Sequence, residues 1–344
     1  MPVDFGRNTF RRLIIVSALA IAFIGCAAFL LTSARTKHAG RSKAVTQAPK
    51  TSRRQERTAR RYQEVYIPFV ISDNKLITTV TIRNRRLPAI VDTGTALVVA
   101  SSHTRLAGTT LYQIAGRRGK TMIKSIFLGP DGTVLYGRMK RLPGVGMGRY
   151  LVKTADSVEL DHFNNSPNQD YVVLGNDAFL HVVLTIDVQK KEMIVRTKEF
   201  DVTQHPLKPG NALLDFTYTG KNLFSPGVPV IAAQVDGYPV HLILDTGLDR
   251  MLLTQDTAHR LPVQHQLRST LMTGPFSVAH QHPSLSGVSL SLGKIKLADG
   301  DAVLMRSSLG GTQGSIGMPL LRACRVTIDY PGRKILLEPI GSHH

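Results

Sequence analysis

The sequence predicts a mainly β protein with two similar lobes, preceded by one membrane-spanning helix. Three observations support this prediction: Val, Ile and Leu recur throughout the chain after residue 62, an apolar run ending in Asp-Thr-Gly occurs twice, and a long uncharged segment lies near the N-terminus. The length of 344 residues fits two domains and an extension. With 42% apolar and 19% charged residues, the chain has the composition of a folded protein.

The uncharged segment runs from Leu13 to Thr32. Its twenty residues are enough for a helix to cross the hydrocarbon core of a bilayer, which is about 30 Å thick. We therefore predict a transmembrane anchor at 13–32, with residues 1–12 in the cytoplasm. A cleaved signal peptide is the alternative, because arginines precede the apolar run and small residues follow it.

A basic segment, 33–61, follows the predicted anchor. From Arg35 to Arg61 it carries ten Lys or Arg against one acid, Glu56, and so holds about half of the formal net charge of +19. Such a run is typical of a solvated, disordered tether. Anionic lipid headgroups beside the membrane are the predicted contact of residues 35–61. No nucleic acid partner is expected, because neither interleaved aromatic residues nor zinc-ligand spacing accompanies the basic residues.

The folded region contains an internal repeat. The segment 87–94, Leu-Pro-Ala-Ile-Val-Asp-Thr-Gly, is mirrored by 240–247, Val-His-Leu-Ile-Leu-Asp-Thr-Gly. An alternating apolar segment and turn residues precede each copy, which is typical of a β-hairpin. The repeat predicts that two strands, one in each half, end in the same kind of turn.

A second match lies downstream of each Asp-Thr-Gly. The stretches 174–195 and 316–337 both begin with an apolar residue and Gly, and both carry Thr-Ile-Asp at the same place when aligned without gaps. Because the two signals occur in the same order, the chain looks duplicated. We predict lobes at 62–200 and 201–344, with the linker between them near the Pro and Gly residues of 204–210.

Together these motifs resemble those of the aspartic peptidases, with each half similar to a retropepsin-like protomer and the pair arranged as in pepsin-like enzymes. The resemblance covers about residues 65–338. It implies that the two loops meet at a pseudo-twofold axis and that Asp92 and Asp245 form the catalytic pair. Two carboxyl groups held this close share one proton, as aspartic protease dyads do. The expected activity is endopeptidase cleavage of a peptide or protein substrate.

The resemblance also carries expectations about the whole protein. No metal and no cofactor is expected, and the chain is expected to act as a monomer because it carries both aspartates. By analogy with membrane-anchored bacterial peptidases, the folded body is expected on the periplasmic side of the inner membrane. The dense positive charge after the anchor, taken alone, favours the cytoplasm instead.

Supporting roles follow for the residues around the pair. Gly94 and Gly247 are expected to let backbone amides approach the carboxylates, and Thr93 and Thr246 to bond across to the opposite loop. The apolar-Gly strands, at 174–175 and 316–317, are expected to pack beneath the two loops.

The two loops differ after their glycines. Thr95 can donate a hydrogen bond to Asp92, so we predict that Asp92 is the ionised member and that Asp245 holds the proton. Leu248 stands where such enzymes usually have Ser, Thr or Ala, and its bulk must be accommodated beside the dyad.

A hairpin flap is expected to cover the substrate in each half. In the first half, Gly116, Arg117, Arg118 and Gly119 lie between apolar segments and are the predicted flap, with Tyr136-Gly137 as the alternative. In the second half, Thr273-Gly274-Pro275 is the weaker counterpart.

Other classes of site lack their motifs. The sequence contains no His-Glu-x-x-His, no Cys-x-x-Cys and no Gly-x-Ser-x-Gly, and the glycine-rich stretch 310–317 lacks the Lys of a phosphate loop. Cys324 is the single thiol of the folded region, so no internal disulfide can form there. Two alternatives stay open: a catalytically inactive peptide- or protein-binding module on the same fold, which Leu248 favours, and a basic adaptor at the membrane surface.

Overall fold

The computed structural model describes residues 64–101, 109–110, 124–128, 134–142, 144–152, 155–160, 172–197, 201–204, 207–220, 226–274, 277–306 and 310–341. The predicted anchor at 13–32, the tether at 33–61 and the predicted flap residues 116–119 lie outside these ranges. Among the described residues, no helix is long and apolar enough to span a bilayer.

The first half of the described chain consists almost entirely of strands. They are β1 (Glu64–Pro68), β2 (Val70–Ser72), β3 (Lys75–Ile82), β4 (Arg85–Val91), β5 (Val98–Ser101), β6 (Thr109–Thr110), β7 (Lys124–Leu128), β8 (Val134–Leu142), β9 (Val145–Met147), β10 (Tyr150–Val152), β11 (Ala155–Leu160), β12 (Val172–Leu174), β13 (Val182–Asp187) and β14 (Glu192–Thr197). Two 3₁₀ helices, Asn176–Ala178 and Val202–Gln204, accompany them.

The second half adds ten strands and two short helices. The strands are β15 (Ala212–Thr219), β16 (Val228–Val235), β17 (Tyr238–Leu244), β18 (Met251–Thr254), β19 (Leu267–Gly274), β20 (Ser277–Leu292), β21 (Ile295–Met305), β22 (Gly314–Ile316), β23 (Cys324–Asp329) and β24 (Lys334–Pro339). The helices are α1 (Gln255–Ala258) and α2 (Met318–Ala323). The prediction of a mainly β protein is confirmed.

The two halves have the same strand order. The order β3-β4-β12-β5-β11-β8 in the first half corresponds to β16-β17-β22-β18-β21-β20 in the second. In both, the strand that ends in the apolar-Gly motif runs parallel to the strand before Asp-Thr-Gly and antiparallel to the strand after it. The repeat seen in the sequence is therefore a repeat of the fold.

Six strands join the halves in one run of sheet, in the order β1-β14-β13-β23-β24-β15. Its central pair is β13 with β23, in antiparallel register with Thr185 opposite Thr327. Their hydroxyl oxygens lie 2.8 Å apart and are buried. The two copies of Thr-Ile-Asp thus meet each other at the point where the halves join.

The core follows from the alternation of side chains along the strands. In β3, Leu76, Val80 and Ile82 are buried while the exposed positions lie between them. All six residues of β13 are buried, as expected for a strand in the middle of the sheet. Cys324 is buried and forms no disulfide, and burial raises the pKa of its thiol to about 11.

Candidate active site

The two aspartates lie at equivalent ends of equivalent strands. Asp92 follows β4, and its backbone N–H donates to the carbonyl of Leu174 at 3.0 Å. Asp245 follows β17, and its N–H donates to the carbonyl of Ile316 at 2.9 Å. The apolar-Gly strands therefore support the Asp-Thr-Gly loops from beneath, in the positions expected from the sequence.

Gly175 and Gly317 lie beneath the two loops, where the backbone of the loop leaves no room for a side chain. A Cβ added at Gly175 would lie 2.3 Å from the carbonyl oxygen of Leu97, and one added at Gly317 would lie 2.2 Å from that of Asp245. Both distances are far below van der Waals contact. Any side chain at these two positions would push the supporting strand away from the loop it holds.

The glycines of Asp-Thr-Gly let backbone amides approach the carboxylates, as expected from the sequence, and they have a second role that involves the opposite half. A Cβ at Gly94 would lie 2.1 Å from the carboxyl carbon of Asp245, and one at Gly247 would lie 2.6 Å from that of Asp92. Each glycine therefore makes room for the carboxyl group of the opposite half. The amide N–H of each also donates to the aspartate of its own loop, at 2.9 and 3.0 Å.

The two threonines of the motif connect the loops. The hydroxyl of Thr93 donates to the carbonyl of Leu244 at 2.6 Å, and that of Thr246 donates to the carbonyl of Val91 at 2.8 Å. Each hydroxyl also accepts from the backbone N–H of the other threonine at 3.1 Å. Four buried hydrogen bonds thus fix one half against the other directly beneath the aspartates.

The carboxyl groups of Asp92 and Asp245 form a hydrogen bond with each other. Asp92 is 7% exposed, and burial raises its pKa, while hydrogen bonds from Asp245, the Thr95 hydroxyl and the Gly94 amide act against this rise. Burial also raises the pKa of Asp245, and the charge of Asp92 and the bond to it raise that pKa further, to well above its ordinary value. These directions agree with the prediction that Asp92 is the ionised member and that Asp245 holds the proton.

The residues after the glycines explain this difference. The Thr95 hydroxyl donates to Asp92 Oδ2 at 2.9 Å. The Leu248 side chain instead packs against the apolar cluster of Leu252, Met272, Val303 and Met305. The bulk of Leu248 is therefore accommodated by this apolar cluster of the second half.

One buried residue near the dyad was not predicted from the sequence. Asn176, directly after Gly175, donates from its side-chain amide to the carbonyls of Thr93 and Thr95, at 2.7 and 3.2 Å. The hydroxyl of Tyr330 donates to the Asn176 side-chain oxygen at 2.8 Å. Only the position next to the apolar-Gly motif hinted at Asn176, and nothing in the sequence pointed to Tyr330.

Hairpins lie at the same place in the strand order of the two halves. In the second half, β19 pairs with β20 and Gly274 of the weaker flap candidate lies opposite Ser277, at the end of the described pairing; Pro275 lies outside the described residues. In the first half, β7 pairs with β8, and Tyr136, the alternative candidate, lies opposite Ile126 within that hairpin. The preferred candidate, Gly116 to Gly119, lies outside the described residues.

A pair of Asp-Thr-Gly loops, braced by threonines and sharing a hydrogen bond between their aspartates, defines an aspartic-protease-like site. Residues 231–320 match the family model described as Aspartyl protease, and this range includes Asp245 and Ile316-Gly317. The match supports an aspartic-protease-like family for the second half.

No curated protein shows significant similarity to the chain. The crystal structure of basic 7S globulin from soybean is similar at 12% identity and a TM-score of 0.49, over 80% of this chain and 95% of the globulin chain.

Proposed function

We propose that this chain is an aspartic endopeptidase that hydrolyses peptide bonds between its two halves, as a monomer and without a metal or cofactor. The observation that carries the proposal is the closeness of the Asp92 and Asp245 carboxyl groups, one from each half: the Asp245 carboxyl lies against Gly94 of the first loop, and the Asp92 carboxyl lies against Gly247 of the second. A carboxylate beside a protonated carboxyl group is the arrangement that acid–base hydrolysis of an amide requires.

The two aspartates have different tasks in the proposed reaction. Asp92, the ionised member, takes a proton from the water that attacks the peptide carbonyl. Asp245, which holds the proton, donates a hydrogen bond to the carbonyl oxygen as negative charge develops on it. The Thr93–Thr246 bonds keep the carboxyl groups in place while the proton moves, so little reorganisation is needed at the moment of reaction.

Asparagine variants of the dyad test the proposal. The full chain, in detergent, is incubated with a diverse peptide library from acidic to neutral pH. Cleavage is expected for the wild type, with a loss of at least about 10³-fold in Asp92→Asn and in Asp245→Asn. Asp215→Asn is the matched control, because Asp215 is an exposed carboxylate that pairs with Lys334. Binding of peptides without cleavage at any pH would instead identify the inactive module.

The proposal includes a membrane anchor at 13–32, with the body on the periplasmic side and residues 35–61 against anionic lipid. It rests on the length and apolarity of the segment. Alkaline extraction should leave the full chain in the membrane and release a variant lacking residues 1–34. Release of both would contradict the anchor. A folded body that resists protease added from the periplasmic side would contradict the orientation.

A further inference from the structure

Asn176 is the most constrained polar side chain beneath the Asp92 loop. It is fully buried, and it donates to the Thr95 carbonyl both from its backbone N–H, at 2.9 Å, and from its side-chain amide, at 3.2 Å. The same amide donates to the Thr93 carbonyl at 2.7 Å. The two carbonyls flank Gly94, so Asn176 fixes the backbone on both sides of the glycine that faces Asp245.

The second half supplies the remaining partners of this amide. The Tyr330 hydroxyl donates to the side-chain oxygen at 2.8 Å, and the Gly227 carbonyl accepts from the side-chain nitrogen at 3.3 Å. A hydroxyl donor on the oxygen leaves the nitrogen facing the three carbonyls, so Tyr330 determines the orientation of the amide. The Tyr330 ring is itself held by Phe179 and Phe216, with ring centroids 6.4 and 6.2 Å away.

This link is present on one side of the dyad only. In the gap-free alignment of the two copies, Met318 stands in place of Asn176 and Val188 in place of Tyr330. Both polar members are therefore replaced by apolar residues beneath Asp245. The half with the link is also the half in which Thr95 donates to its aspartate.

We propose that Tyr330 and Asn176 are positioning residues that hold the Asp92 loop so that the Thr95 hydroxyl points at Asp92, and that they thereby make Asp92 the ionised member of the pair. Tyr330 acts through Asn176, Asn176 through the Thr95 backbone, and Thr95 through its hydroxyl. The second half thus sets the protonation of the aspartate in the first. The catalytic part of this inference rests on the proposed peptidase function.

The variant Tyr330→Phe removes one hydroxyl and keeps the ring. The amide is then no longer oriented, the hydroxyl of Thr95 is held less well, and the ionised form of Asp92 loses stabilisation. We expect kcat to fall about tenfold with KM little changed, since the change lies beneath the dyad and away from bound substrate. The acid limb of the pH–rate profile should move to higher pH, because a weaker hydrogen bond to a carboxylate raises its pKa.

Two comparisons separate positioning from packing. Tyr218→Phe removes a hydroxyl from the same aromatic cluster, since Tyr218 contacts Phe216 edge to face, and it should leave the profile unchanged. Thr95→Val should move the acid limb in the same direction as Tyr330→Phe. Adding Tyr330→Phe to Thr95→Val should move it no further, because the link acts through that hydroxyl.

A titration independent of activity distinguishes failure of this inference from failure of the proposed function. Carbon-13 NMR of the Asp92 and Asp245 carboxyl carbons in the full chain should show the lower dyad titration moving to higher pH in Tyr330→Phe and in Thr95→Val. If the wild type cleaves nothing but these shifts occur, the link stands and the peptidase proposal fails. Unchanged titrations in Thr95→Val, or equal shifts in Tyr218→Phe and Tyr330→Phe, would overturn the link.

Discussion

At the scale of single residues, the dyad is asymmetric although its two loops share a motif. Both aspartates are placed by the same backbone bond and receive the same glycine amide. The side chains after the two glycines differ: the Thr95 hydroxyl donates to Asp92, whereas Leu248 packs against an apolar cluster. A hydrogen-bond donor to one of two coupled carboxyl groups favours the ionised form of that group.

The raised pKa of Asp245 predicts a cost in stability. The folded state keeps a proton on Asp245 that the unfolded chain releases, so the free energy of unfolding falls as pH rises from the ordinary pKa of Asp toward the raised folded value. In the variant Asp245→Asn, this side chain no longer ionises in either the folded or the unfolded state. We expect it to raise the free energy of unfolding near neutral pH by on the order of 1 kcal/mol and to flatten this pH dependence.

Urea unfolding from acidic to neutral pH measures the effect. Asp215→Asn, at an exposed ion pair with Lys334, should keep the wild-type pH dependence. A stability profile in Asp245→Asn that parallels the wild type would contradict the raised pKa.

At the scale of elements, each Asp-Thr-Gly loop depends on a strand that passes beneath it within backbone contact. Gly175, directly after β12, lies against the Leu97 carbonyl, and a Cβ at this position would be 2.3 Å from the carbonyl oxygen. The variant Gly175→Ala must therefore displace either β12 or the loop after Asp92. We expect it to lower the free energy of unfolding by about 3 kcal/mol and to abolish cleavage.

The matched control is Gly300→Ala, because the nearest atom to a Cβ there is 4.0 Å away. Its effect on stability should stay within about 1 kcal/mol. Thermal unfolding of both variants and the cleavage assay provide the measurement. Retention of wild-type cleavage in Gly175→Ala would show that the strand beneath Asp92 can shift without consequence.

The elements that the sequence predicted are those with local signatures. Alternation of apolar residues predicted the hairpin of β3 and β4, and the repeated Asp-Thr-Gly and apolar-Gly motifs placed the loops and their supporting strands. The Tyr330–Asn176 bond joins positions 154 residues apart, and no local pattern encodes such a contact. The second role of Gly94, leaving room for the Asp245 carboxyl group, also depends on the other half of the chain.

At the scale of the whole molecule, the halves are joined by backbone as well as by the loops. β13 pairs with β23 at the centre of six strands, three from each half. Thr185 and Thr327 face each other there with hydroxyls 2.8 Å apart, and Arg196 Nη1 donates to the Thr185 hydroxyl at 2.7 Å. The Thr185 hydroxyl therefore bonds to both Arg196 and Thr327.

A double-mutant cycle on this pair tests whether the junction acts as a unit. Thr327→Val removes a hydrogen-bond partner of the buried Thr185 hydroxyl and should cost about 1–2 kcal/mol of unfolding free energy. Thr185→Val should cost more, because Arg196 also loses this acceptor. The double variant should cost less than the sum by about 1 kcal/mol, since the two hydroxyls no longer need each other. Strict additivity in urea unfolding would mean that the two hydroxyls do not interact, and that β13 and β23 are held together at this point by their backbone pairing without a contribution from this hydroxyl pair.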